Sequence, residues 1–190
     1  QPDVMTLDVE MPGTNGIDFL KQLLPTHPLP VILVSSLNLR VFDALAAGAV
    51  DFVRKPDGVE SREAFLDALA QKIAAAACSK VHHSTAAHGP AAVAPALDAS
   101  RGVDLDRTII GLGASTGGTE ATLEVLKRLP ADIPGMVIVQ HMPVGFTKMY
   151  AERLNRLCKM EVREAVHGDE IHRGLALVAP ADLQCRVVRM

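Results

Sequence analysis

No stretch of the chain stays apolar for the roughly 18 residues that a membrane-spanning helix requires, and no basic, apolar-cored leader opens it. A cytoplasmic protein without membrane insertion is expected. Basic residues are not in surplus: 19 Lys and Arg stand against 22 Asp and Glu, a net charge of −3. That balance removes the electrostatic case for a nucleic-acid partner. Cysteine is scarce as well. Cys78, Cys158 and Cys185 are odd in number, widely spread and without a C-x-x-C pair, so they read as reduced thiols, each a small buried apolar residue. An opening methionine is also missing. The chain starts at Gln1, enters an apolar strand three residues later and stops inside the apolar "CRVVRM". Ends of this kind read as those of an internal fragment.

What is present is a globular composition, 48% hydrophobic and 22% charged over 190 residues, enough for one large domain or two small ones. Apolar runs of buried-strand type alternate with helical patterns, the mark of parallel α/β architecture. "VMTLD" (4–8), "PVILVS" (30–35) and "VDFVRKP" (50–56) are the first three strands. Between them Asn15 caps a helix bearing Phe19, Leu20, Leu23 and Leu24, and a short helix from Asn38 turns Val41 and Leu45 inward. A longer helix over 61–77 carries Phe65, Leu69 and Ile73 at core spacing. Residues 78–104 lose all periodicity in favour of Ala, Pro, Ser and Gly, which predicts a linker in which His82, His83 and His88 are solvated. A second module follows over 105–190. It has strands at 107–115 and 135–142, helices from 118 to 129 and from 146 to 157, and short strands at "VREAV", "LALVAP" and "CRVVRM". In the last helix Phe146, Met149, Tyr150, Leu154 and Leu157 form the apolar side.

Asp8, Ser35 and Lys55 each close one of the first three strands, at spacings of 27 and 20 residues that fit one crossover each. Like-directed strands bring their carboxyl ends to one edge, where open α/β sheets bind ligands. A carboxylate, a hydroxyl and an ammonium meeting there suit phosphoryl acceptance. The carboxylate attacks phosphorus to form an acyl phosphate, the lysine offsets the added charge and the hydroxyl donates to a phosphoryl oxygen. The plainer reading of Asp8 and Lys55 alone is a surface ion pair worth little.

"LDVEMPGTNG", "PVILVSS" and "GAVDFVRKP" resemble the response-regulator receiver domain of two-component signalling, from its third strand onward over residues 1–77. The resemblance implies a flavodoxin-like fold, Asp8 as phosphoacceptor, Ser35 as switch hydroxyl, Phe52 as switch aromatic and Lys55 as the family's lysine. It also implies a cis Lys55–Pro56 bond. Mg²⁺ is the cofactor it implies for phosphorylation. Asp8 and Glu10 would serve as ligands here, an incomplete set because the family's acidic pair lies on a strand this sequence does not contain. The segment between Ser35 and Gly48 is shorter than usual by about one helical turn. Without its family neighbour, strand 4–8 is expected to expose an aggregation-prone edge.

The stretch "IIGLGASTGG" (109–118) sets four glycines around one serine. Residues 113–117 match G-x-S-x-G between a strand and a helix, the context of a nucleophile elbow. There the Thr116 N–H at the helix start is a candidate oxyanion donor. A dinucleotide turn is the rival, but Gly111, Gly113 and Gly117 are spaced one residue too long, and the next strand ends in Gln140 and His141 rather than an acid. His141 lies 26 residues after Ser115, at the end of the next apolar run. Strands ~4.8 Å apart bring an imidazole within reach of Oγ as general base. A core histidine bonded to a carbonyl is the plainer alternative.

"GASTGGTEA" followed by "VIVQHMPVGFT" resembles the catalytic domain of the chemotaxis protein-glutamate methylesterases, the CheB family, whose order is receiver, linker, esterase. The whole chain thus reads as α/β: a receiver truncated at its N-terminus, a linker, and a doubly wound parallel-sheet methylesterase domain truncated at its C-terminus. The resemblance implies hydrolysis of glutamyl γ-methyl esters on methyl-accepting chemotaxis receptors, glutamine deamidation by the same route, and regulation by phosphorylation from a CheA-type histidine kinase. Ser115 and His141 are the implied catalytic pair, and no cofactor is needed for the ester hydrolysis. The family's third residue, an aspartate, would fall beyond residue 190, while Asp169, Glu170 and Asp182 sit in polar turns and read as solvated. Little esterase activity is therefore expected of these 190 residues. The competing class is a non-catalytic, receiver-linked module that binds an anion or nucleotide at its glycine turn.

Overall fold

The computed structural model describes residues 2–11, 13, 15–36, 40–56, 58, 61–78 and 104–189. Nearly all of the predicted linker, with its three histidines, lies outside the described residues. The chain divides into two compact units, Gln1–Gly89 and Pro90–Met190, each built on its own parallel sheet.

In the first unit β1 (Met5–Asp8), β2 (Val31–Ser35) and β3 (Asp51–Arg54) lie side by side in chain order. The helices α1 (Gly16–Leu23), α2 (Arg40–Ala46) and α3 (Arg62–Ala77) alternate with them. Leu7, Val31, Ile32, Leu33, Phe52 and Val53 are buried, which is why these runs read as near-continuous apolar segments. Asn15 accepts the Ile17 N–H and Ser61 the Ala64 N–H, so both helix starts are side-chain capped. One sheet face places Ile32 and Val53 against Ala76 of α3, with Phe65, Ala68 and Leu69 packed around them. On the other face Phe52 meets Phe42 of α2 edge-on at 6.5 Å.

The second unit orders its strands β4 (Ile109–Ala114), β5 (Gly135–Gln140), β7 (Leu175–Val178) and β6 (Glu161–Glu164), all parallel. Helices α4 (Gly118–Arg128) and α5 (Phe146–Leu157) supply Leu123, Leu126, Phe146, Tyr150 and Leu154 to a core with Met136, Ile138 and all of β7. Tyr150 donates its buried hydroxyl to the Thr119 carbonyl, and Arg153 grips Glu120 with both terminal guanidinium nitrogens. These two contacts join α5 to the start of α4.

"CRVVRM" forms no strand in its described residues, because a strand needs a neighbour for its N–H and C=O groups and none pairs with it. β4 is not buried. Among the described residues it lies at the edge of its sheet, and Ile109 and Val139 on one face of the β4–β5 pair are 50% and 52% exposed. Leu157 closes the last turn of α5 and is 45% exposed; the helix has run past the elements it packs on. The cysteines are free but not buried: Cys78 and Cys185 are exposed and Cys158 is half-buried, since the first follows a helix end and the second sits in the unpaired terminal segment. Lys55–Pro56 is trans, as no described bond is cis, in keeping with the ~0.5–1 kcal/mol by which even X–Pro bonds favour trans. Among the described residues no helix is long and apolar enough to cross a membrane.

Candidate functional site

Two strand-end clusters arise, one in each unit. In the first, register places Asp8 beside Val34 and Ser35 beside Arg54, and the Lys55 N–H donates to the Ser35 carbonyl at 2.8 Å. The Lys55 ammonium donates to Asp8 Oδ2 at 2.5 Å, and Asp8 Oδ1 accepts the Glu10 N–H at 3.0 Å. Burial works against ionisation of Asp8, but the Lys55 ammonium and the Glu10 and Val9 N–H groups outweigh it and hold the carboxyl below its usual range. Ser35 is 1% exposed and its Oγ has no hydrogen-bond partner among the described residues. A buried hydroxyl left so costs about 1–3 kcal/mol, a strain that an incoming acceptor oxygen would relieve. Phe52 is turned inward on the neighbouring strand. Gly16 opens α1 against this edge, where a Cβ would run into the Asp8 carbonyl oxygen.

Glu10 is exposed and no group of three metal-binding side chains occurs among the described residues. With one Asp8 oxygen on Lys55 and the other on the Glu10 N–H, these residues do not by themselves make a Mg²⁺ cage.

Lys72 is a residue that sequence reasoning passed over. It lies buried on α3, donating to Asp51 Oδ1 at 2.7 Å, with its ammonium 5.8 Å from the Phe52 ring centroid. The only sequence signal was a lysine on the apolar side of a helix.

In the second unit Ala114 and Gln140 are register partners, so Ser115 and His141 follow on adjacent parallel strands and leave the sheet at one edge. The His141 N–H donates to the Ala114 carbonyl at 3.1 Å. Both side chains are exposed, and no hydrogen bond joins Ser115 Oγ to the imidazole among the described residues. Thr116 is half-buried at the mouth of α4, and Gly117 takes φ +76°, a conformation that favours glycine. Beneath the turn the Gln140 side-chain amide donates to the Ser115 carbonyl at 2.9 Å. Sequence reasoning had noticed Gln140 only as a non-acid.

The downstream carboxylates separate. Asp169 is half-buried and paired rather than free in solvent: its Oδ2 takes Arg163 at 2.6 Å and the Val166 N–H at 2.7 Å, and these donors hold its pKa below the usual range. Glu170 and Asp182 are exposed. None of the described carboxylates bonds His141.

Residues 110–189 match the family described as CheB methylesterase, and residues 1–67 the response regulator receiver domain. A protein-glutamate methylesterase/protein-glutamine glutaminase of Syntrophotalea carbinolica is 48% identical over 199 residues, which cover 100% of this chain and 56% of that protein. The chain belongs to the CheB family. Its Salmonella typhimurium relative of the same name is 44% identical, covering 99% of this chain and 54% of that one. The chain therefore spans about half the length of the curated CheB relatives it matches. Among solved structures, the Thermotoga maritima CheB methylesterase catalytic domain aligns at 41% identity and TM-score 0.38, covering 39% of this chain and 40% of that one. The response regulator domain of Thermotoga maritima CheB aligns at 41% identity and TM-score 0.38, covering 42% and 63%.

Proposed function

We propose that the protein is a phosphorylation-regulated protein-glutamate methylesterase that also deamidates glutamine, with Ser115 as nucleophile and His141 as general base. The observation that carries this reading is the delivery of both residues to one sheet edge by paired parallel strands, within a chain matching CheB relatives along its whole length. Ser115 Oγ attacks the carbonyl of a glutamyl γ-methyl ester while His141 takes its proton. The tetrahedral oxyanion is met by the Thr116 N–H at the start of α4. As it collapses, His141 passes the proton to the departing methoxide, methanol leaves and an acyl-enzyme remains. Water, deprotonated by His141, then opens the acyl-enzyme to glutamate and restores the serine. A glutamine substrate runs the same course with ammonia as leaving group.

Asp8 is the phosphoacceptor in this reading. Its carboxylate oxygen attacks the phosphorus of a phosphohistidine donor, the histidine nitrogen departs, and an acyl phosphate forms. Lys55 offsets the charge gained and the unpartnered Ser35 Oγ donates to a phosphoryl oxygen. Receiver domains typically use Mg²⁺ for this step; the described carboxylates, Asp8 and Glu10, do not complete its site. The partners are methyl-accepting chemotaxis receptors as substrate and a CheA-type kinase as phosphodonor, in the cytoplasm, where ATP supplies such a kinase.

A fluorophosphonate probe tests the assignment in the full-length protein. Labelling that disappears in Ser115→Ala and slows sharply in His141→Ala is the expected result. Undiminished labelling of Ser115→Ala would refute the nucleophile and favour an anion-binding turn.

A further inference from the structure

Gln140 closes β5 immediately before His141 and is 6% exposed in an otherwise apolar strand. Its Nε2 donates to the Ser115 carbonyl at 2.9 Å and to the His141 carbonyl at 3.5 Å. The Gly118 N–H reaches the same Ser115 carbonyl at 2.7 Å. A carbonyl only accepts, so the NH₂ end of the amide must be the one that faces it. Oε1, at the other end, is buried with no hydrogen-bond partner among the described residues. An apolar side chain of similar length would avoid that desolvated acceptor, so the favourable feature of an amide here is its donor. Room for it comes from Gly118: a Cβ there would stand 2.5 Å from Oε1 and 2.5 Å from the Ala114 Cβ.

We infer that Gln140 is a positioning residue for the Ser115 turn, and that it aims the oxyanion donor. The inference rests on the reading of Ser115 as nucleophile. The peptide joining Ser115 to Thr116 is planar and trans, so its C=O and N–H point in opposite directions. Two donors, Gln140 Nε2 and the Gly118 N–H, hold the Ser115 carbonyl inward beneath the turn. The Thr116 N–H is thereby turned outward, to the side where charge develops. Both hydrogen bonds of the Gln140 amide go to backbone carbonyls and neither to Ser115 Oγ. Because it is bonded covalently to His141, one strand end fixes both the base and the orientation of the donor.

The test is Gln140→Met in the full-length protein, which keeps the length of the side chain and removes the donor. Methyl-ester hydrolysis is expected to lose about ten- to hundredfold in kcat, as displaced oxyanion donors and misaligned groups do. KM should stay within about twofold and Ser115 phosphonylation should slow in step, since a group that aims a donor acts on the transition state and not on substrate binding. Wild-type kcat with wild-type labelling, or a rise in KM alone, would overturn the inference. A measurement on the unsubstituted protein keeps it open to refutation should the variant fail to fold. The Gln140 side-chain amide protons should exchange with solvent far more slowly than those of exposed Gln22, and equal rates would refute the contact. Ser115→Ala separates the two ideas: if it stays active, the nucleophile assignment is wrong, whereas an inactive Ser115→Ala beside a fully active Gln140→Met rejects only the role of Gln140.

Discussion

At Asp8, burial favours the neutral acid and the Lys55 ammonium favours the carboxylate, and the pairing prevails. The folded-state pKa therefore lies below the unfolded value of about 3.9. The stability this gives is present at neutral pH and down to the unfolded value, and is lost as pH falls through the folded one. Lys55→Met should move the Asp8 titration upward, because only the Glu10 and Val9 N–H groups then oppose burial; carboxyl carbon shifts followed by NMR measure this directly. Lys72 poses a sharper case. It and Asp51 are both buried, and Asp51 Oδ2 has no partner of its own among the described residues. Lys72→Ala would strand a buried carboxylate, at a cost of about 3–5 kcal/mol. Lys72→Met combined with Asp51→Leu should recover most of that loss, since a buried ion pair contributes little beyond what apolar packing supplies. Urea denaturation of the three proteins checks it.

Helix starts are where sequence and site meet at the scale of elements. Ser61 caps α3 through the Ala64 N–H, and Ser61→Ala should lower stability by about 1 kcal/mol, read as a shift in the urea midpoint. At α1 and α4 the first residue is a glycine pressed against a strand end beside a site residue, Gly16 against the Asp8 carbonyl and Gly118 against Ala114 and Gln140. Gly16→Ala should cost about 1–3 kcal/mol through overpacking and also slow acetyl-phosphate labelling of Asp8, because the helix must retreat from the Asp8 carbonyl. Labelling at the wild-type rate would show that the backbone here yields without disturbing the carboxylate. These contacts explain why helix spacing was legible and packing was not. The periodic residues Leu20, Leu123, Leu126, Phe146 and Leu154 are buried as their spacing implied, whereas Lys72 and Gln140 are polar side chains whose burial depends on partners far away along the chain.

For the whole molecule, two strand-end clusters sit in two separate compact units, and the His141 imidazole has no carboxylate partner among the described residues. Loss of an orienting carboxylate costs about 10⁴-fold in turnover in serine hydrolases. The alternation of apolar runs and amphipathic segments was enough, read as sequence, to specify parallel α/β architecture and to set Asp8, Ser35, Lys55, Ser115 and His141 at strand ends. Those features follow from local periodicity and from the single hand of the crossover. Tertiary structure alone decided that, among the described residues, β4 lies at a sheet edge with an open face and "CRVVRM" joins no ladder, and that Asp169 is bound to Arg163. It alone showed an amide beneath the serine turn. Each of these depends on which residues distant in sequence become neighbours in space, and hydrogen-bond pairing and side-chain burial are properties of that neighbourhood, invisible to spacing along the chain.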